Sequence, residues 1–175
     1  EKLGRVRVRL PHLDDELSNW ARLVSAGAGK GRGIFFRPER GDEVVVSFEH
    51  GDPRRPVVLG GLWSNPEPPP EDGEATENNL RQIVGRSGQV VRLDDTKGSE
   101  RIEVIGAGAK HRVVVDSAND RIEVTASSGK VVIEASAGEV EIRAAKNLTI
   151  KAGGDLSVEA TGNLTLSGAN VSING

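Results

Sequence analysis

The C-terminal part of the sequence is built on a repeat of eight residues. From Asn147 onward it reads NLTIKAGG, DLSVEATG, NLTLSGAN and then a shortened VSING. Each copy holds two apolar residues separated by one other, and successive pairs are spaced by 8, 8 and 7 residues. Residues two apart on a strand share a face, so each copy is predicted to be a short strand followed by a turn. Such a thin ribbon cannot bury its own apolar side and must associate with further copies of itself.

Longer repeats of the same kind precede this segment and become shorter toward the C-terminus. The earlier apolar pairs are Val91/Leu93, Ile102/Val104, Val113/Val115 and Ile122/Val124. From position 131 onward the pairs are predicted to form the core of an assembly of identical chains, and these residues are Val131, Ile133, Val140, Ile142, Leu148, Ile150, Leu156, Val158, Leu164, Leu166, Val171 and Ile173. Turn-forming residues separate the pairs, and no ionisable side chain follows Glu159.

Composition excludes several classes of protein. The formal net charge is −3, without the basic excess typical of duplex-binding proteins. Aromatic residues make up only 3% of the chain, which is low for a globular core of 175 residues. Cysteine is absent, and no apolar run approaches the roughly 18–20 residues that cross a bilayer. Methionine is also absent, even at position 1, so we expect the sequence to be a piece of a longer protein.

Charge divides the chain into three predicted parts. Residues 1–64 are mixed in charge, residues 65–79 carry five acids and no base, and residues 80–175 are again balanced. Three prolines at 68–70 and the excess of acids indicate an extended linker over 65–79. The predicted domains are therefore 1–64, the linker 65–79, and a repeat domain over 80–175.

The first part is predicted to be a small barrel of short strands. Strand candidates lie at 5–10, 20–24, 34–36, 43–48 and 56–62, where apolar residues cluster or alternate with charged ones. Five short strands in about 60 residues with Gly-rich loops favour an OB-type barrel. The loop GAGKGRG at 27–33 lacks the spacing of a phosphate loop and precedes no helical pattern, so it is interpreted as a flexible or partner-facing loop.

The repeat domain is predicted to be a three-chain prism. Three or more strands must share an apolar face before a ribbon is stable, and strands of three or four residues broken by turns suit the sides of a triangle. Neighbouring rungs then come from different chains, so that no long edge stays open. A parallel β-helix of a single chain is the alternative, and it normally needs coils about twice this long.

Several sequence motifs resemble one known family over nearly the whole chain. The first part is similar to the OB domain of phage baseplate assembly protein V and of VgrG spike proteins, and the matching words are GRVRV at 4–8, WAR at 20–22 followed by Val24, GDEV at 41–44 and GDPRRPVVLG at 51–60. The words RSGQ at 86–89 and LDDTKG at 93–98 resemble the start of the VgrG spike. The tail LTIKAGGDLSVEATGNLTLSG resembles its β-prism.

The resemblance implies an all-β chain in which an N-terminal OB-fold barrel precedes an intertwined triple-stranded β-helix, or β-prism, formed by a homotrimer. It implies a structural spike that pierces the target envelope when a contractile machine fires: a phage tail, an R-type bacteriocin, a type VI secretion system or an extracellular injection system. The expected partners are a hub domain, baseplate and tube proteins, and the target cell envelope. Such a spike is assembled in the bacterial cytoplasm and delivered to or across the target envelope.

The C-terminal end also carries an expectation. Some relatives close the spike with a metal held by an H-x-H pattern, whereas His12, His50 and His111 are isolated here, so neither an apex metal nor any other cofactor is expected. The uncharged end Asn170, Val171, Ser172, Ile173, Asn174 and Gly175 resembles spikes capped by a separate PAAR-type tip protein. A frayed end is the alternative. The hub region would precede Glu1, and the lysozyme domain of some phage members is missing.

Two other functions are compatible with parts of the pattern. A β-helical polysaccharide-binding or depolymerase tail protein would need paired carboxylates and stacking aromatics, but residues 80–175 contain no Trp, Tyr or Phe. A binder of single-stranded nucleic acid would need aromatic platforms in a basic groove, whereas the few aromatics of the first part are better explained as barrel or trimer contacts. The chain is therefore expected to be neither an enzyme nor a nucleic-acid binder.

Overall fold

The protein is all-β, with almost no helix, in a computed structural model that describes residues 3–71 and 77–173. The fold class expected from the sequence is confirmed at this level. The strands of the first part are β1 (Arg9–Leu10), β2 (Glu16–Leu17), β3 (Arg22–Leu23), β4 (Ala28–Gly29), β5 (Arg32–Gly33), β6 (Val44–Phe48) and β7 (Pro56–Gly61). The strands of the second part are β8 (Leu80–Val84), β9 (Val90–Asp94), β10 (Arg101–Ile105), β11 (His111–Asp116) and β12 (Arg121–Ala126).

A three-stranded sheet in the order β3-β7-β6 forms the centre of the first part. Strands β6 and β7 are antiparallel neighbours in the chain. Strand β3 pairs with β7 in parallel, which is possible because a long connection separates these two strands. The register between β6 and β7 shifts between Val45 and Val46, which leaves Leu59 as the extra residue of a β-bulge. The bulge bends β7 just before its glycine pair.

The core of this part is small. Val8, Leu10, Ala21 and Val58 are buried, and Val6, Leu23, Val44, Val46 and Phe48 pack against them. The alternating pattern of β6 explains this packing, since Val44, Val46 and Phe48 face the core and Val45 and Ser47 face solvent. A core of four buried residues is modest for a domain of this length.

The strands of the first part differ in detail from the sequence-based prediction. Only Arg9–Leu10 of the candidate at 5–10 becomes a strand, with one further bridge between Val6 and Ala21. Residues 34–36 form no strand, and the Gly-rich loop instead folds into the β4-β5 hairpin. The sequence prediction also missed β2, which pairs with β1 across a turn in which Asp14 and Asp15 both have positive φ. These differences arise because turn residues that tolerate positive φ determine how the short strands of the first part pair.

Strands β8 to β12 form one antiparallel meander in sequence order. Each strand pairs in continuous register with the next one along the chain, so that Ile102 faces both Leu93 and Val115. Glycines with positive φ occupy the connections at positions 88, 98 and 108, where an L side chain would be strained. The meander is thus a sheet within one chain, and the prediction of a three-chain helix over 80–175 stays a prediction.

The chain divides into two compact units, Glu1–Gly129 and Lys130–Gly175. Among the described residues of the second unit, 130–173, none lies in a strand, and every one is exposed. The backbone bends at 145–146, 153–154, 161–162 and 168–169, with the same 8, 8, 7 spacing as the apolar pairs. The alternation of short extended segments and bends follows the repeat of the sequence. The predicted boundaries of the OB domain and linker stay predictions, and residues 72–76 of the linker lie outside the described residues.

Because Val58 is buried, a substitution that leaves a cavity there is predicted to destabilise the first part of the chain. Val58→Ala removes two methyl groups from the centre of the core and should lower the free energy of unfolding by about 2 kcal/mol. The measurement is the urea midpoint followed by tryptophan fluorescence, because Trp20 and Trp63 both lie in this part. Val45→Ala on the exposed face of β6 is the control. Equal shifts for the two variants would contradict the assignment of the core.

Candidate functional site

The two faces of the meander have opposite character, and the apolar face is open. It carries Ile83, Val91, Leu93, Ile102, Val104, Val113, Val115, Ile122 and Val124, which the register places side by side. All nine are exposed, with Ile122 as much as 74% exposed. A contiguous exposed apolar patch of this kind marks an interaction surface.

Eight of these nine residues follow from the pairs seen in the sequence. Ile83 and the strand β8 that carries it were not predicted from the sequence. The strand pattern was present, because Leu80, Gln82 and Val84 alternate with Arg81 and Ile83. Both sets of positions contain apolar residues, so the sequence does not show which face of the strand is the apolar one. Strand pairing resolves this ambiguity, since Ile83 lies opposite Val91.

The other face of the meander holds a lattice of ion pairs, next to the buried Val114 and a row that contains Val84, Val90 and Ile105. In register across the sheet lie Asp94, Arg101, Asp116 and Arg121, and Arg92 faces Glu103 in the next row. Arg101 contacts Asp94 at 3.1 Å and Glu103 at 3.4 Å, and Arg121 contacts Asp116 at 3.2 Å.

The carboxylates of this lattice are shielded from water. Asp94, Glu103 and Asp116 are buried even though they lie on the polar face, because the long arginine side chains cover them. A buried charge is costly without a partner of opposite sign, and a slipped register of the strands would separate these partners. The lattice therefore disfavours any slipped register. The polar face is therefore complete within one chain, in contrast to the apolar face.

The pKa of Asp94 reflects this environment. Hydrogen bonds from the side chain and the backbone amide of Thr96 lower the pKa of the Asp94 carboxyl, and Arg101 and Arg92 lower it further, against a smaller opposing effect of burial. The pKa of Glu123 is lowered in the same way by hydrogen bonds from Thr125 and Arg112. Both groups are thus held in the charged form that the lattice requires.

The predicted core residues from Val131 to Ile173 lie in the second unit with their side chains exposed. No described residue of this unit buries them, so their role as a trimer core stays a prediction. Of the predicted tip residues, Asn170, Val171, Ser172 and Ile173 are exposed, whereas Asn174 and Gly175 lie outside the described residues.

The motif GDPRRP forms a clamp between β6 and β7. The guanidinium and the backbone amide of Arg54 both donate to Asp52 at 3.0 Å, and these bonds lower the pKa of the Asp52 carboxyl. Glu49 accepts ion pairs from Arg55 and from Arg22 of β3. The motif therefore fixes the hairpin turn and ties it to a third strand, which is a structural role rather than a catalytic one.

Residues 3–71 and 77–173 contain neither a candidate metal centre nor a candidate membrane helix. No group of three or more His, Cys, Asp or Glu side chains there is arranged to hold a metal ion. Within the same ranges, no helix has both the length and the apolar character that a membrane span requires.

The lowered pKa of Asp94 predicts how the meander responds to acid. A carboxyl whose pKa is lower in the folded state stabilises it above the unfolded value of 3.8, and this contribution is lost as the pH falls through the folded pKa. Asp94→Asn should therefore unfold at lower urea than the wild type at pH 7, and the gap should narrow below pH 3.8. Far-UV circular dichroism gives the midpoints, with the exposed Asp155→Asn as control. A gap that widened in acid would refute this role.

Parts of the chain are similar to known proteins. Residues 1–63 match the family model described as the injector OB domain of type VI secretion systems and phage baseplates. The chain is 30% identical over 59% of its length to the type VI secretion system spike protein VgrG1a of Pseudomonas aeruginosa, and 35% identical over 59% to VgrG4b of the same species. It is 31% identical over 58% to VgrG3 of Vibrio cholerae.

The matched region is a small share of each relative. It covers 18% of VgrG1a, 14% of VgrG4b and 11% of VgrG3. The chain therefore spans less than a fifth of the length of the curated relatives it matches. The stretch matched by the family model contains the motifs at 4–8 and 51–60. The comparisons thus show similarity to the injector OB domain over residues 1–63 and to VgrG spike proteins over 58–59% of the chain, which supports a relationship to the family of VgrG and phage baseplate V spike proteins.

Proposed function

We propose that this chain is the stem of a trimeric, envelope-piercing spike of a contractile injection machine, and that it acts mechanically. The observation that carries the proposal is that apolar side chains lie uncovered in each unit, on one face of the meander, as at Ile83, and in the pairs of the second unit, as at Ile173. Its relatives are named as spike proteins of type VI secretion systems, which supports a spike of a secretion or injection machine.

The meander supports association through one face only. Its polar face is already sealed by ion pairs, so further chains add to the apolar face. Three sheets packed with these faces inward enclose a dry triangular interior, and each apolar row then contacts rows of two other chains. At about 25 cal/mol for each Å² of apolar surface removed from water, nine side chains per chain make such a seam strongly favourable.

The second unit supports the same assembly through its backbone. Its extended segments pair with no strand among the described residues, and an extended segment gains stability by pairing with a neighbour. If three chains interleave, each eight-residue repeat advances the axis by three strand spacings, or roughly 14 Å. The pairs Leu148/Ile150, Leu156/Val158 and Leu164/Leu166 then line the axis of an intertwined β-helix.

The remaining parts take their proposed roles from this assembly. Residues 1–64 form the OB domain beneath a hub that joins baseplate and tube, and 65–79 form the linker to the spike of 80–175. The uncharged end at 170–175 receives a PAAR-type tip or effector protein. The machine is a phage tail, an R-type bacteriocin, a type VI secretion system or an extracellular injection system. The spike is assembled in the bacterial cytoplasm and driven to or across the target envelope.

The mechanical proposal includes no catalysis. The polysaccharide depolymerase considered from the sequence gains no support, because the carboxylates of the meander are engaged in ion pairs and no aromatic residue lies beyond position 80 to stack on a sugar. A structural role uses the same ion pairs to hold the sheet rigid. Spike proteins of this family are generally not enzymes.

The oligomeric mass tests the proposal directly. The chain has a mass of 18.5 kDa, and multi-angle light scattering in native buffer should give three times that value. The trimer should also resist dissociation by SDS without boiling, because its seam is continuous and its backbone is paired between chains. A monomeric or dimeric mass would contradict the proposal.

Substitutions in the repeat distinguish the interior of the spike from its exterior. Leu156→Asp together with Leu164→Asp places two charges per chain in the proposed dry seam and should abolish the SDS-resistant trimer, because an unpaired buried charge is costly. Ser157→Asp together with Thr165→Asp changes the outward-facing neighbours and is the matched control. Loss of the trimer in both double variants, or in neither, would show that the apolar pairs do not form the seam.

A further inference from the structure

A second surface lies in the first part of the chain, away from the meander and the repeats. An open cleft of about 690 Å³ is bounded by the segment Leu3–Arg5, by β3 with the residues that follow it, and by the hairpin β4-β5. Ile34, Phe35 and Phe36 form its apolar wall, and the side chains of Phe35 and Phe36 are about two-thirds exposed. Exposed phenylalanines beside a cleft indicate a surface that a partner covers.

The cleft is positively charged. Arg5, Arg22 and Arg32 line it, and no Asp or Glu is among the described residues that line it. Arg22 is partly neutralised by its ion pair with Glu49, whereas Arg5 and Arg32 make no ion pair with any residue in 3–71 or 77–173. The matching occupant is therefore a segment that presents carboxylates next to apolar side chains.

The chain itself presents such a segment at the turn between β1 and β2. Residues 11–17, here named the acidic tip, read PHLDDEL, and all seven are exposed. Asp14 and Asp15 have φ of 49° and 64°, and the turn is closed by hydrogen bonds from the amide of Leu13 to Leu10 and from that of Glu16 to Leu13, both 2.9 Å. The folded turn thus projects two adjacent carboxylates from the hairpin.

The acidic tip also carries apolar surface. Leu13 and Leu17, at either side of the carboxylates, are 44% and 52% exposed. Within the described residues the only ion pair of the tip joins Asp15 to Arg9 at the base of its own hairpin, at 3.4 Å and with both side chains exposed. The tip therefore has carboxylates and leucines available for a surface with arginines and phenylalanines.

We infer that the acidic tip of one copy docks into the cleft of the next copy, with Asp14 and Asp15 against Arg5 and Arg32, and Leu13 against Phe35 and Phe36. The contact joins two different surfaces, so it is head-to-tail, and three such contacts related by a three-fold axis close a ring without a free end. This inference rests on the proposed function, because the trimer supplies that axis. It deepens that proposal by assigning a register to the first part of each chain.

Cysteine cross-linking tests the contact, because the full chain contains no cysteine. Leu13→Cys and Phe36→Cys are introduced together, the protein is treated with a short bis-maleimide, and the products are separated on a denaturing gel after boiling. A head-to-tail ring should give covalent dimers and trimers. Each single variant should stay monomeric on the gel, since two tips or two clefts do not meet. The pair Leu13→Cys and Leu59→Cys, whose second site is exposed outside the cleft, is the matched control.

Charge reversal tests the chemistry of the contact. In the double-cysteine background, Arg5→Glu with Arg32→Glu should lower the yield of covalent trimer about tenfold, because like charges then face each other. Adding Asp14→Arg and Asp15→Arg should restore the yield. Arg40→Glu, outside the cleft, should leave it unchanged.

The outcomes separate this inference from the proposed function. A trimeric mass by light scattering without intermolecular cross-links would overturn the docking contact and leave the spike proposal intact. A monomeric mass would overturn both. Retention of a labelled single-stranded oligonucleotide by the wild type at low salt, lost in the variant with Arg5→Glu and Arg32→Glu, would assign the cleft to nucleic acid and overturn the inference.

Discussion

The proposed assembly depends on the removal of two sets of apolar side chains from water. One set forms a face of the meander and the other is the series of short pairs in the second unit, and both lie uncovered on the single chain. The buried core near Val8 and Val58 is too small to compensate for so much exposed aliphatic surface. The proposed three-chain stem follows from this imbalance, and so does the division of the chain into a part that pairs with itself and a part that does not.

The ion-pair lattice gives the meander a preferred side. In an ordinary amphipathic sheet the apolar face is buried and the polar face is exposed, yet here Asp94, Glu103 and Asp116 are buried beneath arginine side chains. A sheet could otherwise associate through either face or slip by a residue, which exchanges the two faces. A slipped register or association through the polar face would disturb the pairing of the alternating carboxylates and guanidiniums. The ion pairs therefore favour one register and one face.

The sequence predicts the periodic features of this fold well and its irregular features poorly. The apolar pairs of β9 to β12 follow from spacing alone, and the register confirms that each pair shares a face. The hairpin β1-β2 was missed because its pairing depends on Asp14 and Asp15 in a backbone region that propensity does not anticipate. Likewise, the loop at 27–33 gave no sign of β4 and β5, since glycine is compatible with almost any conformation. Prediction of the ion-pair lattice requires knowledge of which strands are neighbours. The spacing of residues alone also leaves open whether the partner strand belongs to the same chain.

The connectivity of the meander has a consequence for the order of events in biogenesis. Every strand from β8 to β12 pairs with the strand that precedes or follows it, so all its contacts are local along the chain. Local contacts form quickly and need no encounter with another molecule. A nascent polypeptide can thus complete this sheet before it meets another copy. In the proposed three-chain stem, the segment beyond Gly129 would pair only after the copies meet, and the folded meander would be the nucleus from which three tails wind in a common direction.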